Sequence, residues 1–449
     1  METAIIVLAA GLGKRMESNI PKVLHEVAGA PMIMHLFRSL KTLEPRKIVT
    51  ITGHGSSEIE GKIGKLEPEI CFARQKVQKG TGHAVNCAKE ELGSFKGKTL
   101  IVYGDVPFIS KETFEKILSI KDKSADLVVL SFFSNKPSNF GRLVVEEDEL
   151  IRIVEAQDAS DEELKISLCN SGVMCVENDL LFDLLNEITN KNTREEYYLT
   201  DIVGVARSHN YTVKTVICEE NEALGINTRA ELAEAEKVFQ EKARTAAVES
   251  GVTLIQPETV YFSFDTEVGR DAYIGPNVVF GPGVTVETGA RVLAFCHLEG
   301  CHISQGSQVG PFARLRPGTE LNENVKVGNF VEIKNSTINQ NSKVNHLSYI
   351  GDASIGQHSN IGAGTITCNY DGVNKYHTSI GNQVLLGSNT LLVAPVTVGD
   401  QSMTATGTIV TDDVPQGDLA IGRVKQENKA GYVRKLMKLL KSKKKQKNT

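Results

Sequence analysis

From residue 268 onward an aliphatic residue recurs every six positions, often followed by glycine. The series runs Val268, Ile274, Phe280, Val286, Val292 and Leu298, with Phe280 its aromatic member. A five-residue step leads to Ile303, Val309, Leu315, Leu321, Val327 and Ile333, and another to Ile338, Val344 and Ile350. Ile355 and Ile361 follow, and after a gap the series returns at Ile380, Leu386, Leu392, Val398, Thr404 and Val410. Period six matches neither an α-helix, with about 3.6 residues per turn, nor the alternation of a hairpin sheet. It matches a parallel β-helix, in which each aliphatic residue stacks on its equivalent one coil away. A glycine-rich loop region would not hold this register. The polar stretch from Thr367 to Ser379 interrupts it. A regular coil has no structural need of such a loop, so it is expected to serve binding.

Residues 1–250 hold 16 glycines and residues 251–427 hold 22, so the architecture changes near the middle of the chain. Before that change, Thr3–Ala10, Lys47–Thr52, Lys98–Tyr103 and Asp126–Ser134 are predicted buried strands, and Pro31–Leu43 and Gly82–Leu92 have helical spacing. Strands alternating with helices imply an α/β domain with a mostly parallel sheet, whose ligands bind beyond the carboxyl ends of the strands. Residues 229–248 are rich in strong helix formers and lack Gly and Pro, which predicts a connecting helix. The expected organisation is an α/β domain over 1–228, the helix over 229–249, the β-helix over 250–427 and a basic tail over 428–449.

The chain is 41% hydrophobic and 23% charged, an ordinary globular composition. The longest apolar stretch near its start, Ala4–Ala10, is too short to span a bilayer and follows no basic segment. Neither an integral membrane segment nor a signal peptide is expected. Eight scattered cysteines, without C-x-x-C or zinc spacing, read as reduced thiols of a cytoplasmic protein. Residues 428–449 hold nine Lys/Arg and no acid, leaving 41 basic against 55 acidic residues in 1–427. A body of net charge −14 is not expected to grip nucleic acid. In the tail, Val433, Leu436, Met437, Leu439 and Leu440 stand among lysines. They could dock on a protein or an anionic surface, although a solvated tail is the simpler reading.

The first predicted strand runs into Leu8-Ala-Ala-Gly-Leu-Gly-Lys-Arg-Met16. Small residues let backbone amides approach phosphate, and Lys14, Arg15 and Lys22 bring positive charge. The stretch is not a dinucleotide fingerprint, since Met16 stands where a third Gly is needed, nor a G-x-x-x-x-G-K-[ST] loop. Alone it is equally a structural turn. Leu100-Ile-Val-Tyr-Gly-Asp105 sets a carboxylate just past a buried strand. Asp105 could be an ordinary turn former, but the position suits a Mg²⁺ ligand, because Mg²⁺ takes one or two protein oxygens plus phosphates. Gln75–Ala84 offers amide, hydroxyl and backbone groups of the kind that read a base.

In the second half, His297 and His302 lack the companions of a metal site. His346 follows Arg316 and Lys334 within two coils. With about three hexapeptides per coil and about 4.8 Å between coils, Arg316, Lys334 and a residue near 352 fall in one column, near His346 and Tyr349. By position alone His346 could be a solvated corner residue. With those neighbours and the ejected loop it is a candidate general base, since imidazole titrates close to neutral pH. Cys368, beside Asn369, reads as packing rather than a nucleophile.

Together, L-A-A-G-x-G-x-R-M (8–16), P-K-V-L (21–24), G-T-G-H-A (80–84) and Y-G-D-V-P (103–107) resemble the sugar-nucleotide pyrophosphorylases, which act on a nucleoside triphosphate and a sugar 1-phosphate. Phe140-Gly-Arg, Val154-Glu155, Asn170-Ser-Gly and Gly225-Ile-Asn227 narrow the resemblance, as do Asn345-His-Leu-Ser-Tyr349 and Ile361–Gly372. The family so indicated is that of the bifunctional N-acetylglucosamine-1-phosphate uridyltransferases / glucosamine-1-phosphate acetyltransferases. The match runs in order along nearly the whole chain apart from the basic tail. It implies a Rossmann-like nucleotidyltransferase domain and a left-handed β-helix, an exception to right-handed crossovers. It implies acetylation of glucosamine 1-phosphate by acetyl-CoA, then uridylyl transfer from UTP to N-acetylglucosamine 1-phosphate. The products would be pyrophosphate and UDP-N-acetylglucosamine for peptidoglycan and lipopolysaccharide synthesis.

The resemblance also implies residue roles. Asp105 and Asn227 would hold Mg²⁺. Leu8, Ala9, Ala10, Gly11, Gln75, Gly80, Thr81, Tyr103, Gly104 and Asp105 would meet the uridine nucleotide, Lys22 phosphate, and Gly141, Glu155 and Asn170 the sugar. Arg316, Lys334, Tyr349 and Asn360 would hold glucosamine phosphate, with His346 taking a proton from its amine. Ala363, Asn369, Tyr370, Ser388, Thr406 and Arg423 would lie along acetyl-CoA, the Ala363 N–H facing the oxyanion. Lys14 stands where the family commonly has Thr, and Thr406 where it usually has Ala. A homotrimer through the β-helix is implied, with acetyl sites between neighbouring copies. The competing readings are a single-activity pyrophosphorylase whose β-helix only organises the assembly, and a binding protein with neither activity.

Overall fold

The apolar run at the start of the chain forms β1 (Thr3–Ala9), buried at every position. In the computed structural model, which describes residues 2–137, 139–147 and 149–446, it lies inside a nine-stranded sheet. The other strands are β2 (Lys47–Thr52), β3 (Cys71–Arg74), β4 (Lys98–Tyr103) and β5 (Leu127–Phe133). A hairpin of β6 (Arg142–Glu146) and β7 (Glu149–Val154) is followed by β8 (Leu168–Glu177) and β9 (Val213–Cys218). The order is β9-β5-β8-β4-β1-β2-β3, with the hairpin attached to β8 through β6. β1 is parallel to both β2 and β4. β8 runs against β4 and β5, a reversal inside an otherwise parallel path that nothing in the sequence reading foresaw.

Alternate residues of β1 enter different cores, Ala4, Ile6 and Leu8 one and Ile5, Val7 and Ala9 the other. A strand covered on both faces must be apolar throughout, which is why this one reads as a continuous run. The chain builds β2 and β3 on one side of β1 and then crosses to β4 on the other. Strand order therefore reverses between β1 and β4, and the loops at their carboxyl ends border one crevice.

The helix predicted over Pro31–Leu43 is Met32–Lys41. The one predicted over Gly82–Leu92 is two, Thr81–Asn86 and Lys89–Leu92. At Cys87 and Ala88 the amides turn to carbonyls three residues back, Ala84 at 3.1 Å and Val85 at 3.0 Å, which tightens the turn. The helix Arg229–Glu249 leads out of the first unit, which comprises Met1–Ala247 together with Tyr261–Thr266. That return, after the expected junction near 250, is fixed by Gln240, whose side chain donates to the Phe262 carbonyl (2.7 Å) and accepts from its N–H (2.8 Å).

The second unit, Val248–Val260 with Glu267–Thr449, is a left-handed parallel β-helix with walls of ten, eight and eight short strands among the described residues. Ile274 pairs with Val292 at an offset of 18 residues, and Val292 with Val309 at 17, where the series takes a five-residue step. From Ile274 to Val410 every member of the six-residue series is 4% exposed or less. Thr404, its polar member, is satisfied by Thr390 at 2.8 Å. Thr367 belongs to the wall, opposite Leu392, so the ejected loop is Asn369–His377, narrower than the gap read from sequence.

One corner of the coil holds Phe295, Phe312, Phe330 and Leu347 in the left-handed backbone region, with φ between 49° and 61°. The three rings stack, with centroids 4.9 and 5.3 Å apart. All four side chains are exposed. The basic tail forms a helix, Tyr432–Gln446, which the sequence reading did not include, and its last three residues lie outside the described ones. Among the described residues, no helix is long and apolar enough to cross a membrane.

Candidate active sites

At the crevice, the Gly104 N–H donates to the Leu8 carbonyl at 2.9 Å and ties the end of β4 to that of β1. The Asp105 carbonyl accepts from the Ile226 N–H at 3.0 Å, which brings Asn227 beside it. Asn227 is held by the start of the following helix. The Glu231 carboxylate accepts from the N–H groups of Asn227 (2.7 Å) and Thr228 (2.8 Å), and the Thr228 hydroxyl accepts from the Glu231 N–H (3.2 Å). This reciprocal cap satisfies amides that a helix start leaves free. The Lys22 ammonium pairs with the Asp105 carboxylate and donates to Asn227 Oδ1 at 2.6 Å. The two expected metal ligands thus converge on one cation. Two hard oxygens at the carboxyl ends of the central strands fit Mg²⁺, which takes its other ligands from phosphates and water. Among the described residues no group of three His, Cys, Asp or Glu could hold a metal by itself. Gly13, at φ 61°, approaches so closely that a Cβ there would lie 2.9 Å from Lys22 Cβ, so glycine lets the loop close over the lysine.

Further along, Gln75 is buried and donates to the Gly80 carbonyl and to His83 Nδ1, each at 3.0 Å. Its amide nitrogen therefore shapes the 75–84 segment. Gln78, which the sequence reading passed over, donates to the Ala10 carbonyl at 3.1 Å. The Thr81 hydroxyl accepts from the Leu199 N–H at 2.9 Å. Gly141 and Glu155 flank the open end of the hairpin, where Arg142 pairs with Val154. The Gly141 carbonyl accepts from the Asn170 N–H at 2.9 Å, and Glu155 from the Thr200 hydroxyl at 3.1 Å. Burial pushes the Glu155 carboxyl above the usual carboxylate range; burial and Asp158 do the same to Asp201. This part of the site offers acceptors for hydroxyl groups, whereas at the other end the Lys22 ammonium is shared between Asp105 and Asn227.

On the β-helix, Leu315 pairs with Ile333 and Lys334 with Gly351. The column is thus Arg316, Lys334 and Gly351, the last of them the expected residue near 352, one position earlier because the second step is one residue short. A Cβ at Gly351 would strike the Tyr349 hydroxyl and the Asn369 amide, so the glycine makes room for both. Asp352 accepts from Asn335 Nδ2 at 2.6 Å and from Asn369 Nδ2, which pins the first residue of the ejected loop. Burial alone would raise Asp352, but those bonds and the charges of Lys334 and Lys375 hold it below the usual range. Lys375, absent from the sequence reading, comes from the loop to the side of Lys334. Its ammonium, then burial, lowers Lys334 below the ordinary lysine range. Arg316 completes this cationic group and is itself bonded to Glu332 at 2.9 Å.

His346 pairs with Asn329 one coil earlier, and its Nδ1–H donates to Asn329 Oδ1 at 2.9 Å. That tautomer leaves the lone pair on Nε2 of an exposed ring. Asn360 stands in the wall, its N–H on the Val384 carbonyl at 2.8 Å. The Ala363 carbonyl accepts from Asn389, and Arg423 donates to the Thr406 carbonyl. The Ser388 carbonyl accepts from the Gly407 N–H at 2.8 Å. Tyr370 is exposed at the loop's edge. Burial pushes the Cys368 thiol up, against any role as a thiolate.

An α/β nucleotide-type crevice and a β-helix with its own cationic, histidine-bearing site define a two-site transferase. Residues 5–163 match the model of the MobA-like NTP transferase domain, and residues 297–414 that of the GMPPB C-terminal domain. Proteins called "Bifunctional protein GlmU" align along essentially their whole length. The one from Dinoroseobacter shibae is 56% identical and that from a Ruegeria species 54%, each alignment covering 99% of both chains. The one from Ruegeria pomeroyi is 52% identical over 100% of both. A solved UDP-glucose pyrophosphorylase complexed with UDP-glucose covers 54% of this chain at 19% identity and a TM-score of 0.45, too slight a likeness to bear on function. The chain belongs to the GlmU family of bifunctional proteins.

Proposed function

We infer that the two sites perform successive transfers on one sugar phosphate. The chain is a bifunctional enzyme that acetylates glucosamine 1-phosphate with acetyl-CoA and transfers uridylyl from UTP to N-acetylglucosamine 1-phosphate, producing UDP-N-acetylglucosamine for cell-wall synthesis. The observation that carries the reading is the presence on one chain of two separately cored sites, Asp105–Lys22–Asn227 and the His346 column.

In the first site, Leu8–Gly11 and Gly80–Thr81 present backbone and hydroxyl groups to the uridine nucleotide, and Gly141, Glu155 and Asn170 hold the sugar. Lys22 gives up its two oxygens and turns to phosphate. Mg²⁺, held by Asp105 and Asn227, would neutralise triphosphate charge when bound. A sugar-phosphate oxygen then attacks the α-phosphorus and pyrophosphate leaves, with alignment and charge as the protein's contribution. In the second site, Arg316, Lys334, Tyr349 and Asn360, joined by Lys375, hold the phosphate of glucosamine 1-phosphate. His346 Nε2 takes a proton from the amine as nitrogen bonds to the thioester carbon and the carbon–sulfur bond breaks. The Ala363 N–H faces the oxyanion, and Asn369, Tyr370, Ser388, Thr406 and Arg423 lie along the coenzyme.

The functional division is a nucleotidyltransferase domain over 1–228, the connecting helix and an acetyltransferase domain over 250–427. A homotrimer completes the acetyl sites. The exposed corner of Phe295, Phe312, Phe330 and Leu347 supports it, because it adjoins Asn329 and His346 and is apolar. Eight free cysteines suit a reducing cytoplasm. The test is incubation of the purified protein with glucosamine 1-phosphate, acetyl-CoA, UTP and Mg²⁺, following CoA and pyrophosphate separately. Release of both supports the reading. Pyrophosphate from supplied N-acetylglucosamine 1-phosphate, without CoA release from glucosamine 1-phosphate, would reduce the chain to one activity.

A further inference from the structure

None of the residues placed in either site lies in the helix Tyr432–Gln446. It follows residues 423–431, which form no strand or helix, and its apolar side chains have no cover: Tyr432 is 56% exposed, Val433 68%, Leu436 39%, Met437 48%, Leu439 51% and Leu440 49%. At about 100° per residue these six fall within an arc of roughly 160°, while Arg434, Lys435, Lys438 and Lys441 occupy the opposite side. Lys443 and Lys444 fall back within the apolar arc at the end of the helix, where long stems let a charged head reach a polar boundary. Fifteen residues give a rod of about 22 Å. This is too short to cross a bilayer, and basic enough to lie along one.

We propose that the helix Tyr432–Gln446 docks flat on an anionic lipid surface and so holds the enzyme against a membrane. Charge complementarity selects this occupant. The tail carries nine basic residues and no acid, and such a helix gains from an anionic surface only where its apolar face also finds hydrocarbon. A soluble polyanion would use the lysines and leave the apolar arc in water. The body of net charge −14 is repelled by the same surface, so attachment is left to the tail.

The test is co-sedimentation of the full-length protein with phosphatidylcholine vesicles, with and without phosphatidylglycerol. Binding is expected only to the mixed vesicles. It should weaken by about tenfold or more in Leu436→Glu/Leu440→Glu, and again in Lys438→Gln/Lys441→Gln, with both transferase activities unchanged as the control for folding. Equal binding to both vesicles, or no binding to either, overturns the proposal. Binding by the Leu436→Glu/Leu440→Glu variant equal to that of the unaltered protein, together with equal capture on duplex DNA, would also overturn it and make the tail a polyanion contact.

Discussion

Replacing Lys22 with Met should expose how the uridylyl site is held before any substrate arrives. The ammonium bridges Asp105 and Asn227, and the side chains of Lys22 and Asp105 are only 12% and 19% exposed. Met keeps the stem beside Gly13 and removes the charge. Hydrogen bonds to charged groups contribute about 1.5–3 kcal/mol, and breaking a fully buried ion pair costs about 3–5 kcal/mol. Residual water around this pair places the expected loss near the lower figures, about 2 kcal/mol. For a unit of this size that is a melting point lower by about 4–8 °C in a chelator-containing buffer. Mg²⁺ added without UTP should then raise the melting point more in Lys22→Met than in the unaltered protein, because no ammonium competes for the oxygens. Calorimetry of the two proteins, with chelator and with Mg²⁺, reads both quantities. Equal melting points in chelator, or equal shifts with Mg²⁺, would refute the bridging role.

Ile333→Ala removes a fully buried residue from the middle of the β-helix and should cost about 2–5 kcal/mol in denaturant unfolding, with uridylyl transfer intact. Lys375→Ala should raise KM for glucosamine 1-phosphate by about ten- to hundredfold with a smaller change in kcat, and Lys375→Arg should recover part of it. Glu155 has its carboxyl raised by burial, so its contribution to stability is fully present below the ordinary carboxylate pKa of about 4.3 and is lost as pH rises through the folded value. The melting point of Glu155→Gln should therefore gain on that of the unaltered protein as pH is raised from 4 toward neutral, and a constant difference would contradict the burial.

The β-helix was legible because each coil repeats the same demand, one aliphatic residue per wall, and even the five-residue steps reappear as offsets of 17. The strands at the centre of the α/β sheet were legible because burial on both faces leaves continuous apolar runs. The antiparallel β8 was not, since a strand's direction is set by partners distant in sequence. Nor was the return of Tyr261–Thr266, which is held by a pair of hydrogen bonds, one given and one accepted by the Gln240 side chain. In the first site the motifs named Lys22, Asp105 and Asn227, but only folding shows one ammonium joining the other two. In the second, the Asn329 partner of His346 could have been found by counting one coil back across the short step. Lys375 could not, because the ejected loop follows no period. The tail helix is less legible, because Leu, Met, Lys and Arg favour helices while a run of nine basic residues without an acid equally suits a solvated end.

Two independent active sites on one chain require that His346→Ala and Asp105→Ala each abolish a different one of the two activities. His346 is an exposed residue whose loss removes a base and no core packing. Acetyl transfer to glucosamine 1-phosphate should fall by about two to four powers of ten, the usual weight of general-base catalysis, while uridylyl transfer to supplied N-acetylglucosamine 1-phosphate stays within about twofold. Asp105→Ala should do the reverse, abolishing pyrophosphate release and sparing acetyl transfer. If His346→Ala weakens both reactions equally, or Asp105→Ala leaves uridylyl transfer near its original rate in a folded protein, the two-site account is contradicted.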